Sequence, residues 1–128
     1  MEQTQQATIL VVDDDEFNLK LLKVPLVAEG YAVRTAASGE EALASVAEQL
    51  PDLILLDVMM PGIDGFEVLR RLKADARFRS IPIIMVTALE DRESRLKALE
   101  AGAEDVFTKP VSRAELQMRV KSLLCAPK

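Results

Sequence analysis

The chain has 128 residues, 49% of them apolar and 29% charged, with a net charge of −5, one cysteine and no histidine. That length allows one domain with a real core, and the composition is that of a folded chain with no apolar run long enough to span a membrane. Without histidine no Ser-His or Cys-His nucleophile pair can exist, the acidic balance argues against nucleic acid as a direct partner, and the lone Cys125 fits a reducing cytoplasm.

The first six residues are polar and read as a disordered tail over 1–6, not a signal peptide, followed by one domain over 7–124 and a short tail over 125–128. Thr8-Ile9-Leu10-Val11-Val12 is β-branched and apolar, a buried strand that runs into Asp13-Asp14-Asp15. The helix that follows carries Phe17, Leu21, Val24 and Ala28 at helical spacing, the expected inward face. Pro25 lies inside it, deletes a backbone hydrogen bond, and predicts a kink or an early end. Beyond Gly30, the stretch 31–36 alternates in part and reads as a strand at the sheet edge. Ser38 and Glu41 make a capping box for a second helix, which carries Leu43, Val46, Ala47 and Leu50 as its apolar stripe.

Leu53-Ile54-Leu55-Leu56 is four aliphatics in a row, the mark of a strand covered on both faces, and it delivers Asp57 before the Pro61-Gly62 break. Asp64 and Glu67 cap a third helix that turns Phe66, Leu69 and Leu72 inward, while Arg70, Arg71 and Lys73 suit the macrodipole and solvent. The stretch 82–87 is a fourth buried strand, ending in the Thr87 hydroxyl. A charged helix from about Asp91 to Ala101 follows, with Leu96 and Leu99 as its stripe, closed by Gly102. The fifth strand, 105–108, ends at Lys109-Pro110, and Ser112 with Glu115 caps a last helix burying Leu116, Val120, Leu123 and Leu124. Five strand–helix pairs in alternation give an α/β fold, a doubly wound parallel sheet built from right-handed crossovers. The flavodoxin-like (βα)5 order 2-1-3-4-5 is the common solution at this size, with its ligand crevice between the first and third strands.

The reactive side chains all stand just after a strand: Asp13 and Asp14 after the first, Asp57 the third, Thr87 the fourth, Lys109 the fifth. A parallel sheet brings those ends to one edge. Three carboxylates there repel, at roughly 4 kcal/mol per pair for ~4 Å and an effective dielectric near 20, so a proton or a cation must compensate. All-oxygen ligands suit Mg²⁺. With an ammonium and a hydroxyl opposite, Asp57 has the surroundings needed to take up a phosphoryl group as an aspartyl phosphate. Ala88 leaves the site open and its backbone N–H available to a phosphoryl oxygen. Asp15 reads as a helix cap.

Val11-Val12-Asp13-Asp14, Leu55-Leu56-Asp57-Val58-Met59-Met60-Pro61-Gly62-Ile63-Asp64-Gly65, Thr87-Ala88 and Lys109-Pro110, in that order, resemble the receiver domains of two-component response regulators over about residues 7–124. The resemblance implies a signalling domain that catalyses only its own phosphorylation and dephosphorylation. Asp57 would be phosphorylated by a sensor histidine kinase or a histidine phosphotransfer protein. Mg²⁺ would be held by Asp14, Asp57 and the Met59 carbonyl, with Asp13 acting through water. Lys109 would pair with the phosphoryl group, Thr87 would swing to it, and the Lys109-Pro110 peptide would be cis. The state would be relayed through the fourth helix, fifth strand and last helix. The pairs Arg95/Glu115 and Asp105/Arg119 resemble contacts of receivers that dimerise there on phosphorylation, although Ala101 departs from the third expected charge.

Three further positions depart from the family pattern. Val106 stands where an aromatic usually rotates with the threonine, while Phe107 is expected in the core. Met59 and Leu89 are apolar where polar residues often position a water, which implies a long-lived phosphoryl group. A haloacid-dehalogenase-type Mg²⁺ phosphatase is the rival enzyme, but Asp13-Asp14-Asp15-Glu16-Phe17 lacks the required threonine. A flavodoxin would need a hydroxyl-rich phosphate loop where three aspartates stand. With nothing after Leu124 to serve as an effector, the chain is either a free-standing relay or a receiver cut from a larger protein. The stretches around Asp57 and Thr87 look most like receivers joined to cyclic-dinucleotide or kinase output domains.

Overall fold

The computed structural model describes residues 6–88 and 92–124. The two expected tails therefore lie outside the described residues, except Gln6, whose side-chain amide donates to the Gly30 carbonyl at 2.8 Å. Strand and helix alternate throughout: β1 (Thr8–Val12), α1 (Glu16–Ala28), β2 (Ala32–Ala36), α2 (Gly39–Glu48), β3 (Leu53–Asp57), α3 (Gly65–Ala74), β4 (Ile83–Thr87), α4 (Arg92–Glu100), β5 (Asp105–Thr108) and α5 (Arg113–Leu124). All strand pairs are parallel, in the order β2-β1-β3-β4-β5. The fold is the flavodoxin-like doubly wound sheet expected from the sequence. The aliphatic runs of β3 and β4 occupy interior positions and are buried throughout, whereas β2, with its exposed Thr35, forms an edge.

Alternate residues of each strand feed two separate cores. Leu10, Val12, Ile54, Leu56, Ile83, Met85 and Val106 pack under α2, α3 and α4, against Val46, Leu69, Leu72 and Ala98 among others. Ile9, Val11, Leu53, Leu55, Ile84 and Val86 pack under α1 and α5, against Leu22, Leu26, Leu116 and Val120.

Two helices, α1 and α4, turn a different face inward from the one their spacing predicts, and α2 keeps only Val46 and Leu43 of its expected stripe against the core. In α1, Phe17, Leu21 and Val24 are exposed and Leu22, Pro25 and Leu26 are buried. That helix is apolar on two overlapping stripes, so periodicity alone does not choose between them; the stripe nearer the sheet wins. It also continues through Pro25 to Ala28 instead of ending early, and the Pro25 carbonyl accepts a 3.0 Å bond from the Gln117 side chain of α5. In α2, Gly39, Ala42 and Val46 are buried, while Ala47 is exposed and Leu50 lies beyond the helix, 56% exposed. In α4, Ala98 is the buried residue and Leu96 and Leu99 face outward, because a small side chain lets the helix sit close to the sheet. Lys73 is not a solvated charge either. Its ammonium donates to the carbonyls of Arg79 and Ile81 at 3.0 Å each, with Glu104 at 3.8 Å, so it ties α3 to the loop before β4.

The caps behave as their sequences predict. Asp15, Ser38 and Asp64 accept from the backbone N–H of Phe17, Glu41 and Glu67, and Ser112 accepts from Glu115 N at 3.3 Å. Each satisfies an amide that a helix start leaves without an intrahelical partner.

Candidate active site at the carboxyl edge of the sheet

Strand alternation decides which side chains meet. Ile9 and Val11 belong to the α1/α5 core, so Asp13, two residues on, continues that side; Leu53 and Leu55 do the same for Asp57, and Phe107 for Lys109. The three converge. The Lys109 ammonium lies 2.9 Å from Asp13 Oδ2 and 3.2 Å from Asp57 Oδ1, bridging strand ends 96 residues apart in the chain. Asp13 is 1% exposed and Asp57 4%. The other Asp13 oxygen accepts from Asp15 N at 2.9 Å, which fixes the carboxylate at the mouth of α1. Asp14 has the opposite parity and is exposed. Even so, oxygens of Asp13, Asp14 and Asp57 all lie within 4.8 Å of one another, a group of carboxylates able to hold a metal ion.

The electrostatics follow from three acids facing one ammonium. Asp57 is raised from 3.8 to about 6, first by burial and then by the Asp13 charge; the Lys109 charge and hydrogen bond oppose this, and Asp14 adds to it. Burial by itself would lower the Lys109 ammonium, but the hydrogen bond to Asp13 and the charges of Asp57 and Asp13 outweigh it and hold Lys109 above its ordinary value.

Thr87 ends the neighbouring strand, is 2% exposed, and accepts a 2.7 Å backbone bond from Lys109 N. Ala88 is exposed beside it, and Met59, two residues past Asp57, is 58% exposed. Leu89 lies outside the described residues. The Lys109-Pro110 peptide is cis. Val106 is buried in the α4-side core and Phe107 packs partly buried against the α1/α5 core, the division that alternation predicts.

In the sequence Gly65 stands out only as the last residue of the Leu55–Gly65 motif. A Cβ on Gly65 would run into the Asp57 carbonyl and come within 2.8 Å of Val58 Cα, so α3 can start against the end of β3 only on a glycine. The Gly65 amide in turn donates to Val58 O at 2.9 Å. The available signal was a glycine directly after the Asp64 cap, where helix propensity gives no reason for one.

The sequence and the fold both have counterparts among known proteins. A protein-family model described as the response regulator receiver domain matches residues 9–121. Response regulator PleD of Caulobacter vibrioides is 55% identical over 117 residues, covering 91% of this chain and 26% of PleD. Transcriptional regulatory protein ResD of Bacillus subtilis is 45% identical over 124 residues, covering 97% of this chain and 50% of ResD. The crystal structure of a putative response regulator from Chloroflexus aurantiacus superposes with a TM-score of 0.91 at 41% identity, covering 95% of this chain and all of that one. The chain thus spans a quarter to a half of the length of these two curated relatives and the whole of the solved one. With the family model matched across both ends of the sheet and the strand-end acids and lysine gathered in one pocket, the chain belongs to the response regulator receiver domains of two-component systems.

Proposed function

We propose that Asp57 is the phosphoacceptor, taking a phosphoryl group from the phosphohistidine of a sensor histidine kinase or a histidine phosphotransfer protein. The observation that carries this reading is the Lys109 ammonium held between two buried carboxylates, Asp13 and Asp57. An ammonium so placed is already positioned for the charge that develops on a transferring phosphoryl group. Asp57 is the nucleophile, Thr87 supplies a hydroxyl and Ala88 a backbone N–H for the phosphoryl oxygens.

The residues present fit Mg²⁺: the donors are all oxygen, Asp14 is open to solvent, and three carboxylates gather about one ammonium. Asp14, Asp57 and the Met59 carbonyl would hold the ion, with Asp13 acting through water. Held by these residues, Mg²⁺ would supply positive charge for the phosphoryl oxygens. The domain catalyses only its own phosphorylation and dephosphorylation, and works in the cytoplasm without contacting nucleic acid or a membrane; no helix among the described residues is long and apolar enough to cross one.

The phosphorylated state passes to the α4-β5-α5 face, where a second copy docks. Arg95 and Glu115 are exposed there, whereas Arg119 Nε and Asp105 Oδ2 already pair within the chain at 2.9 Å and would have to exchange partners. A second reading is a receiver within a larger protein carrying a cyclic-dinucleotide or kinase output domain; the partial coverage of PleD and ResD favours the larger protein, whatever its output. Acetyl phosphate with Mg²⁺ should add one phosphoryl group to the chain, seen as an intact mass gain, and none to Asp57→Asn. A folded domain that stays unmodified overturns the assignment.

A further inference from the structure

We propose that Met59 is a peroxide-sensitive methionine whose oxidation to the sulfoxide shortens the life of the phosphoryl group on Asp57. The inference rests on the phosphoacceptor reading above and adds a modification site to it.

Alternation continues past the end of β3. Val58 and Met60 are both buried in the core under α2, α3 and α4, as Ile54 and Leu56 are. Met59 stands between them and so takes the parity of Leu53, Leu55 and Asp57. It is 58% exposed, whereas Met60 is 8% and Met85 0% exposed. Among the described methionines only Met59 and Met118, at 69%, are open to a dissolved oxidant, and Met118 belongs to α5, away from the carboxyl edge. Exposure governs methionine oxidation, so the thioether two residues past the phosphoacceptor is one of two among the described methionines that react first.

The chemistry is a two-electron oxygen transfer. A lone pair on the Met59 sulfur takes the terminal oxygen of hydrogen peroxide, the O–O bond breaks, and water leaves; sulfur is oxidised and peroxide reduced. The product replaces an apolar side chain with a strong hydrogen-bond acceptor. An aspartyl phosphate ends when water attacks phosphorus: the new P–O bond forms as the bond to the Asp57 oxygen breaks, giving carboxylate, inorganic phosphate and a proton to solvent. A thioether at position 59 sheds water from that approach; a sulfoxide oxygen holds and orients it.

The test uses the full chain carrying Cys125→Ser, so that no thiol competes for the oxidant. The protein is treated with hydrogen peroxide until peptide masses show Met59 as sulfoxide, then phosphorylated with acetyl phosphate and Mg²⁺, freed of donor, and followed for loss of phosphate. Oxidation should speed the loss about threefold or more, a small part of what a positioned general base achieves. Methionine sulfoxide reductase should restore the original lifetime. Met118→Leu should respond to peroxide as its parent does, Met59→Leu should not respond, and Met59→Gln or Met59→Asn should lose phosphate fast without oxidant. An unchanged lifetime with Met59 oxidised, or equal acceleration in Met59→Leu, overturns the proposal. Failure of the untreated protein to take up phosphate overturns the phosphoacceptor reading and this proposal with it, whereas uptake with an unchanged lifetime overturns this proposal alone.

Discussion

At the scale of single residues, the site is an imbalance of charge held in place by packing. One ammonium faces three acids, and Asp57 rises from 3.8 to about 6, first because it is buried and then because the Asp13 charge lies beside it. A folded value above the unfolded one means that this carboxyl's stabilising contribution is complete below about pH 4 and is lost as the pH rises through about 6. At about pH 7 the ionised, metal-free form carries a cost of up to about 3 kcal/mol, for a shift of roughly two units. Asp57→Asn should therefore be more stable than its parent at neutral pH without metal, and its stability should vary less between about pH 4 and 7. Urea titrations across that range, in chelator, read the difference directly; a destabilised Asp57→Asn at neutral pH contradicts the charge account. The acids, the lysine and the threonine were legible in the sequence because each sits one or two residues past a strand end. The role of Gly65 was not, since what it must avoid, the backbone of Asp57 and Val58, is brought against it only by the turn between β3 and α3.

For whole elements, type and order were legible, while orientation and some ends, such as that of α1 beyond Pro25, were not. The strands announced themselves as β-branched and aliphatic runs, and the helices as capped periodic segments, since both signals depend on neighbours in the chain. Which stripe of α1 faces the sheet depends on how the helix lies across it. Mutation separates the two stripes. Leu26→Ala, at a fully buried site, should cost about 2–5 kcal/mol. Leu21→Ala, at a position 54% exposed, should stay within about 1 kcal/mol. Equal losses in chemical denaturation would mean that α1 is rolled from the orientation described. The same logic explains α4, where Ala98 rather than Leu96 or Leu99 is buried: close approach to the sheet selects a small side chain over a large apolar one.

For the molecule as a whole, one edge of the sheet gathers the acids and the lysine, and the α4-β5-α5 face is proposed to carry the consequence of phosphorylation. Loading the site with beryllofluoride and Mg²⁺, as a phosphoryl mimic, should shift the sedimentation coefficient toward that of a dimer, and Arg95→Glu should weaken the shift. An unchanged coefficient at high protein concentration argues against a second copy as the occupant of that face. The intrachain Arg119–Asp105 pair makes the expected gain modest, because a partner's charges must replace contacts that are already satisfied.

The sequence by itself determined the order of the elements, their caps, the α/β class and the side chains that share the carboxyl edge, because all of these follow from local spacing and from the rule that parallel strands end together. Only the tertiary structure decided which stripes of α1, α2 and α4 are buried, that Lys73 ends on backbone carbonyls, and that the Lys109 ammonium reaches Asp13 and Asp57 at once. Those outcomes depend on distances between segments far apart in the chain, which packing sets and no local pattern encodes.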